Sequence, residues 1–416
     1  MTSRTVVFAE PVRTAIGTFA GSLKDVPAPT LGAVAIGAAV ARARLRPDEL
    51  ETVVMGNVVQ AGTKMNPARQ AAVHAGLPVT TPALTVNRVC GSGAQAIVSA
   101  AQEISLGNIN VAVAGGMENM DQAPYLVARG RWGYRMGDGQ LYDSVLRDGL
   151  NDAFSDAHSG WHTEKYQVTR EEQDRWALRS QQRFAAAQAD GHFKSQIVPV
   201  EVPGKKGPAQ FDKDEHNRPD AALETLARLK PAFRPNGTIT AGNAPGLNDA
   251  ASAVVLADSA WADKRGLAPT ARLVSYGIAA VEPGMFGLGP IPAVNQALQR
   301  AGWDIRSIER AEINEAFAAV AIVVARELGL PDDVVNVEGG AVAHGHPIGG
   351  HRRGADNQAD PLDAPRRPDA RAGHALHRRR SRDRAGYRSV ALKRPRRKEE
   401  AVPCRSRAAA AAPLNG

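Results

Sequence analysis

The chain has 416 residues, 43% of them hydrophobic, 5% aromatic and 40 of them glycine, which is the profile of an α/β enzyme with room for two or three domains. Two cysteines, Cys90 and Cys404, exclude a disulfide framework and fit a reducing cytoplasm. No apolar run reads as a membrane span or a secretion signal.

The formal net charge of +8 misleads as an average, because residues 351–416 hold 18 Lys+Arg against 7 Asp+Glu while the preceding residues hold 33 against 36. The body is mildly acidic and the tail alone makes the chain basic. That tail contains no Ile, Phe, Met or Trp, so it is expected to be disordered rather than to build a core.

Strand and helix alternate over the first 120 residues. Thr5–Ala9 reads as an apolar strand, Pro29-Thr30 opens a helix through Ala43, and Glu51–Asn57 is a second strand. Asn66 and Pro67, a cap and a first helical residue, start a helix to Ala75. Pro82–Asn87 is short, apolar and β-branched, the pattern of a buried strand. After it Ala94, Ile97, Ala101 and Ile104 mark one face of a helix, and Val111–Gly115 is a further buried strand. Strands separated by helices of this length predict crossover units and a largely parallel sheet. From Glu118 to about Gly242 the pattern loosens into an inserted region with one clear helix, Thr169–Asp190, opened by a Thr-Arg-Glu-Glu box. Strands at Ala251–Ala257, Ala271–Ala279, Ala311–Asn314 and Val334–Val337 then alternate with helices Pro292–Ala301 and Glu315–Leu328.

Cys90 sits at the strand-to-helix junction Asn87-Arg-Val-Cys-Gly-Ser-Gly93, where glycines let backbone approach a ligand closely. The helix dipole there favours thiolate, the form that attacks carbonyl carbon. A cysteine taken alone reads as a small buried hydrophobe. Gly115-Gly-Met-Glu-Asn119 suits a tight turn at a strand end, and Asn243-Ala-Pro-Gly-Leu-Asn-Asp249 is a polar loop before a strand. In Asn314-Glu-Ala-Phe317 the asparagine is a site residue or a helix cap, and Gly345-His-Pro-Ile-Gly349 holds a histidine between turn formers. A cysteine at a helix start with a distant histidine in a rigid loop is the minimal Cys/His nucleophile pair.

Together these stretches, with Val12-Arg-Thr-Ala-Ile-Gly17, Thr240-Ala-Gly-Asn243 and Gly289-Pro290, resemble the thiolase family over about residues 4 to 350. The resemblance implies a thiolase-like α/β fold of two similar halves with mixed sheets between helices and an inserted loop region. It implies an N-terminal domain over 1–120 and 243–268, the insertion over 121–242, a partial C-terminal domain over 269–350 and an aberrant tail over 351–416. It also implies acyl transfer between coenzyme A thioesters, by condensation of two acetyl-CoA molecules or thiolysis of a 3-ketoacyl-CoA. Cys90 would be the nucleophile, His346 the base and oxyanion donor, and Asn314 the anchor of an oxyanion-hole water. His158, Ala244, Phe286, Ala316 and Phe317 would line the coenzyme A and acyl pocket. No metal and no tightly bound cofactor is implied. The expected partners are acyl-CoA and CoA, with neither nucleic acid nor membrane, in a cytoplasmic homo-oligomer, a dimer or tetramer.

The chain departs from the family pattern in four places. The insertion reads His158-Ser-Gly-Trp-His162 where a His-Met-Gly is usual, Pro245 replaces a pantetheine-binding serine, and Phe286 stands where short-chain members carry Met. The family's second catalytic cysteine, in Cys-x-Gly-Gly-Gly, is absent after Gly350; Cys404 has no glycines after it and receives no role. Codons chosen for Leu376–Arg388 give Cys-Ile-Gly-Gly-Gly when shifted, so the tail reads as a frameshifted end of the same gene. Activity is therefore expected to be impaired. The alternatives are a catalytically dead relic that binds CoA or partner subunits, and a ketoacyl-carrier-protein synthase of the same superfamily.

Overall fold

The structure, a computed structural model, describes residues 4–204 and 207–350. The tail and Cys404 lie outside these residues.

One mixed sheet is built mainly from residues 6–118 and 248–272. Its main path runs through β1 (Val6–Thr14), β2 (Thr52–Gly56), β3 (Ala83–Val86), β4 (Val111–Glu118), β5 (Asn248–Asp258) and β6 (Ala271–Arg272), in spatial order β6-β1-β5-β4-β2-β3, with the short strands Gly17–Thr18 beside β5 and Ile197–Val198 beside β1. The crossover units expected from the sequence are present: β2 pairs in parallel with both β3 and β4. β5, which returns after the insertion, pairs antiparallel with β4 and β1. Helices α1 (Ala28–Arg42), α2 (Pro67–His74) and α3 (Ser92–Leu106) cover the two faces. Side chains alternate across the pleat. Val53, Val113 and Val255 pack with Leu31, Ile36 and Ala71 of α1 and α2. Val54, Ala112, Ala114 and Val254 face the other way, onto Ile97, Ala101 and Ile104 of α3. Ile104 is fully buried, so its truncation to Ala costs about 2–5 kcal/mol.

Local signals set the helix ends. Asn66 caps α2, its side chain accepting from the Arg69 amide. Thr169 and Glu172 form a reciprocal capping box at the start of α4 (Arg170–Ala189), the one long helix of the insertion. Beyond β6, α5 (Pro290–Ala301) and α6 (Ala318–Leu328) pack around Ile308, Ile313, Val335 and the insertion's Trp176.

Four expectations are corrected. Pro82–Asn87 is not a buried strand: β3 lies at the sheet edge and Leu84 is half exposed, because an apolar run does not distinguish a covered strand from an uncovered edge. Gly115-Gly116 makes no turn; β4 runs straight through to Glu118, and the glycines are required by crowding. The expected strand over 271–279 ends at Arg272. Farther along, the Ile278 amide donates to Gln296 and the Tyr276 carbonyl accepts from Arg300, so side chains of α5 take the bonds a ladder would use. The strands at 311–314 and 334–337 reduce, among the described residues, to one parallel bridge between Ala311 and Val335.

Candidate active site

Cys90 is presented by an elbow between β3 and α3. Val89, immediately before it, has φ +48°, a conformation that a β-branched residue adopts only under constraint. The constraint is visible. The Val89 amide donates to Asn87 Oδ1 at 2.9 Å, and Ser92 Oγ accepts from the Arg88 amide at 2.8 Å while donating to the Val89 carbonyl. The start of α3 rests directly on β2: a Cβ on Gly56 would stand 2.6 Å from the Ser92 carbonyl carbon. Cys90 is half-buried and packs against Val58, Val59, Met120, Val145 and Ile348. Ile348 belongs to the histidine loop, so the sequence-predicted cysteine and histidine stretches do meet.

That loop is pinned on three sides. The His346 amide donates to Asn248 Oδ1 at 2.8 Å, and Asn248 Nδ2 donates to the Gly17 carbonyl at 2.9 Å. Gly345, at φ +95°, leaves room for the Asn248 side chain, which a Cβ would meet at 2.5 Å. The Gly349 amide donates to Glu118 Oε2 at 2.9 Å, and the Gly350 carbonyl accepts from Ser252 Oγ at 3.3 Å. A Cβ on Gly116 would lie only 1.9 Å from the Gly349 oxygen, which explains the glycine there.

Asn314 lies beside the imidazole, its Nδ2 3.3 Å from His346 Nε2, and its Oδ1 has no hydrogen-bond partner among the described residues. It is not a helix cap, since α6 begins only at Ala318 with Phe317 before it. Glu315 explains the delay. Its buried carboxylate accepts from Trp176 Nε1, Asn336 Nδ2, Ser180 Oγ and the Val342 amide at 2.8–2.9 Å, which holds the preceding turn away from the helix.

A cavity of about 190 Å³ opens at the elbow, lined by Arg88, Gly91 and Gln95 on one side and Phe286, Asn314 and Ala316 on the other. His158 stacks on Phe233 at 4.4 Å and meets Phe317 edge-on at 6.5 Å. Its Nδ1 accepts from the Gly160 amide at 3.0 Å, leaving Nε2 as the donor. Burial lowers its pKa to about 4, so the ring is neutral near pH 7. Ala244 packs on the core of the second half with Phe233.

The sequence matches the thiolase N-terminal domain over residues 6–260 and the thiolase C-terminal domain over residues 267–372. The chain belongs to the thiolase family. An acetyl-CoA acetyltransferase of Chromobacterium violaceum is 49% identical to this thiolase over 342 residues, 81% of this chain and 87% of that protein. A beta-ketothiolase of Cupriavidus necator is 51% identical over 353 residues, 83% of this chain and 89% of that protein. The crystal structure of the Bacillus anthracis acetyl-CoA acetyltransferase superposes with a TM-score of 0.82 at 43% identity, covering 84% of this thiolase and 89% of that chain. The crystal structure of human mitochondrial 3-ketoacyl-CoA thiolase gives 0.81 at 40% identity, covering 83% and 89%. The expected α/β fold is thereby established.

Several residues that build the site of this thiolase gave little signal in the sequence. Phe233 lies in an irregular Pro-flanked stretch, and nothing local announces that it stacks on His158. Asn248 was visible only as part of a polar loop. Glu118 closes the Gly-Gly-Met-Glu run, yet it reads as a strand-end charge, while in the fold it is completely buried. Among the described residues no cluster of three His, Cys, Asp or Glu has metal-site geometry, and no helix is long and apolar enough to cross a membrane.

Proposed function

We propose that this thiolase moves an acyl group between coenzyme A thioesters through an acyl-Cys90 intermediate. The Cys90 thiolate adds to the thioester carbonyl and the bond to the CoA sulfur breaks. His346, which takes the cysteine proton, returns it to the departing sulfur. The oxyanion formed on the way is held by the imidazole and a water anchored on Asn314, pre-placed donors that need no reorganisation. The acyl group then passes to the α-carbon of acetyl-CoA; in the reverse direction a 3-ketoacyl-CoA is cleaved by CoA. The observation that carries this reading is the Asn314–His346 pair at 3.3 Å beside the strained elbow that presents Cys90.

His158, Ala244, Phe286, Ala316 and Phe317 are assigned to the passage for pantetheine and acyl chain, supported by the aromatic cluster and the cavity. Coenzyme A thioesters are substrates, and because they acidify their own α-protons, the reaction asks for neither metal nor bound cofactor. The same reading assigns the protein to the cytoplasm, to fatty acid metabolism and to a homo-oligomer.

Carbon–carbon bond formation also needs a base at the acetyl α-carbon. The chain after Gly350 lacks the family's Cys-x-Gly-Gly-Gly, so thiolysis of acetoacetyl-CoA is proposed to be lower by about 10²–10⁴-fold than in a variant with the reading frame restored after Gly349. Incubation with acetyl-CoA should leave an acetyl group on the Cys90 peptide, read by mass spectrometry. Preferential labelling of Cys404 would refute the assignment of the nucleophile, and equal turnover from both chains would refute the impairment.

A further inference from the structure

The Glu118 carboxylate is fully buried, yet it accepts from four donors that carry no charge. Oε1 receives Asn57 Nδ2 at 2.7 Å and the Val59 amide at 3.1 Å; Oε2 receives the Val58 amide at 3.0 Å and the Gly349 amide at 2.9 Å. Two paths lead outward. Through Gly349 it reaches the loop whose Ile348 amide donates to the His346 carbonyl at 2.9 Å. Through Val58 it reaches the elbow, because the Val58 carbonyl accepts from Asn87 Nδ2 at 3.3 Å and Asn87 Oδ1 accepts from the Val89 amide at 2.9 Å. Val89, at φ +48°, is the residue whose conformation aims Cys90.

We propose that Glu118 is the positioning residue of this site: one carboxylate fixes the histidine loop and the cysteine elbow relative to each other. This rests on the reading of Cys90 and His346 as the reacting pair and assigns no chemical step to Glu118. The four donors fix all directions around the carboxylate at once, and close packing leaves it no other place, since a Cβ on Gly349 would meet Oε2 at 2.7 Å. Burial raises its pKa to about 7 while the amides of Val58, Gly349 and Val59 pull it down, so the donors around the group favour the carboxylate form against its burial.

The test is Glu118→Gln, which keeps the shape but turns an NH₂ group toward N–H donors on one side. In the full chain, well below the melting temperature, alkylation of Cys90 by iodoacetamide should slow by about 10- to 100-fold, the scale of an ångström misplacement. The maximal rate of Cys90 acetylation should fall in step, with the half-saturating acetyl-CoA concentration unchanged. A purely structural role would lower the melting temperature and leave the reactivity of the folded protein alone. Asn87→Ala, at an exposed position, cuts only the elbow path and should slow alkylation by about 3- to 10-fold. Folded Glu118→Gln with unaltered Cys90 reactivity overturns the proposal. If that variant does not fold, unaltered reactivity in Asn87→Ala overturns it. An unreactive Cys90 in the unmutated chain would instead sink the proposed function.

Discussion

Replacing Gly116 by Ala perturbs the site without touching any reacting group. The new Cβ would stand 1.9 Å from the Gly349 carbonyl oxygen, where real Cβ contacts essentially never fall under 3.0 Å, so something must retreat by about 1.1 Å. Gly116 lies inside β4, paired with Ser252 on one side and Gly56 on the other, so the sheet cannot yield cheaply. The histidine loop must move instead. A displacement near 1 Å costs on the order of 10²-fold in rate, and the overpacking destabilises the fold by about 1–3 kcal/mol. The assay is the initial rate of Cys90 acetylation by acetyl-CoA, followed by intact mass, alongside thermal melting. Gly37→Ala is the control. Gly37 lies in α1, where an added Cβ would meet nothing outside its own helix nearer than the Ala75 carbonyl oxygen at 3.9 Å. That variant should gain up to about 1 kcal/mol with the acetylation rate unchanged. A folded Gly116→Ala protein that acetylates at the original rate would refute the argument that this loop is set by backbone crowding.

Asn314→Ala should leave iodoacetamide alkylation of Cys90 within about threefold and lower acetylation by about 10²–10³-fold, since only the second reaction develops an oxyanion; equal losses in both would remove Asn314 from the oxyanion hole. Asn248→Ala, which releases the His346 amide while leaving the imidazole in place, should slow both reactions and cost about 1–3 kcal/mol of stability, read by denaturant unfolding. Burial, reinforced by Asp121, raises the Asp249 pKa from 3.8 to about 8. Its raised value means a contribution fully present below about pH 4 and lost as pH rises through 8, so Asp249→Asn should flatten the fall in melting temperature between about pH 4 and pH 8. His158→Ala should raise the half-saturating acetyl-CoA concentration without altering iodoacetamide alkylation; because the ring is neutral above about pH 4, the wild-type acetylation profile from pH 5 to 8 should owe nothing to it.

The centre of the sheet was legible because its strands are apolar and find their ladder partners among the described residues. β2 and β4 are continuous buried runs, as strands covered on both faces are. The cysteine elbow was legible for a related reason: a strand, a glycine pair and a helical face in succession leave little choice of geometry. The second half was less so. Residues 311–314 and 334–337 have strand composition, but composition supplies no partner, and one bridge is what they form. Leu84 shows the same limit at the edge of the sheet, where an apolar side chain is half exposed. Glycine was legible in position and not in cause, since Gly115 and Gly116 are demanded by the Ser252 and Gly349 oxygens, which are remote in sequence.

The acidic residues were the hardest to read, and they explain how two motifs far apart in sequence come to serve one site. Glu118 ends one motif and Glu315 follows Asn314 in another, and from the chain alone neither carries a sign of its role. In the fold both are fully buried and surrounded by N–H and O–H donors, with no lysine or arginine among the described residues that hydrogen-bond them. Burying a charge is costly unless donors replace its water, and here four donors do so at each carboxylate. The cost also confers selectivity: only a chain arrangement that delivers all four donors satisfies the anion, so each carboxylate admits one placement of the loop around it. Glu118 thereby sets the loop that carries His346. Glu315 sets the turn that carries Asn314 and ties it to α4 of the insertion through Trp176 and Ser180. The 3.3 Å approach of Asn314 to His346 thus rests, together with the hold of Asn248 on the His346 amide, on two buried carboxylates on two separate elements.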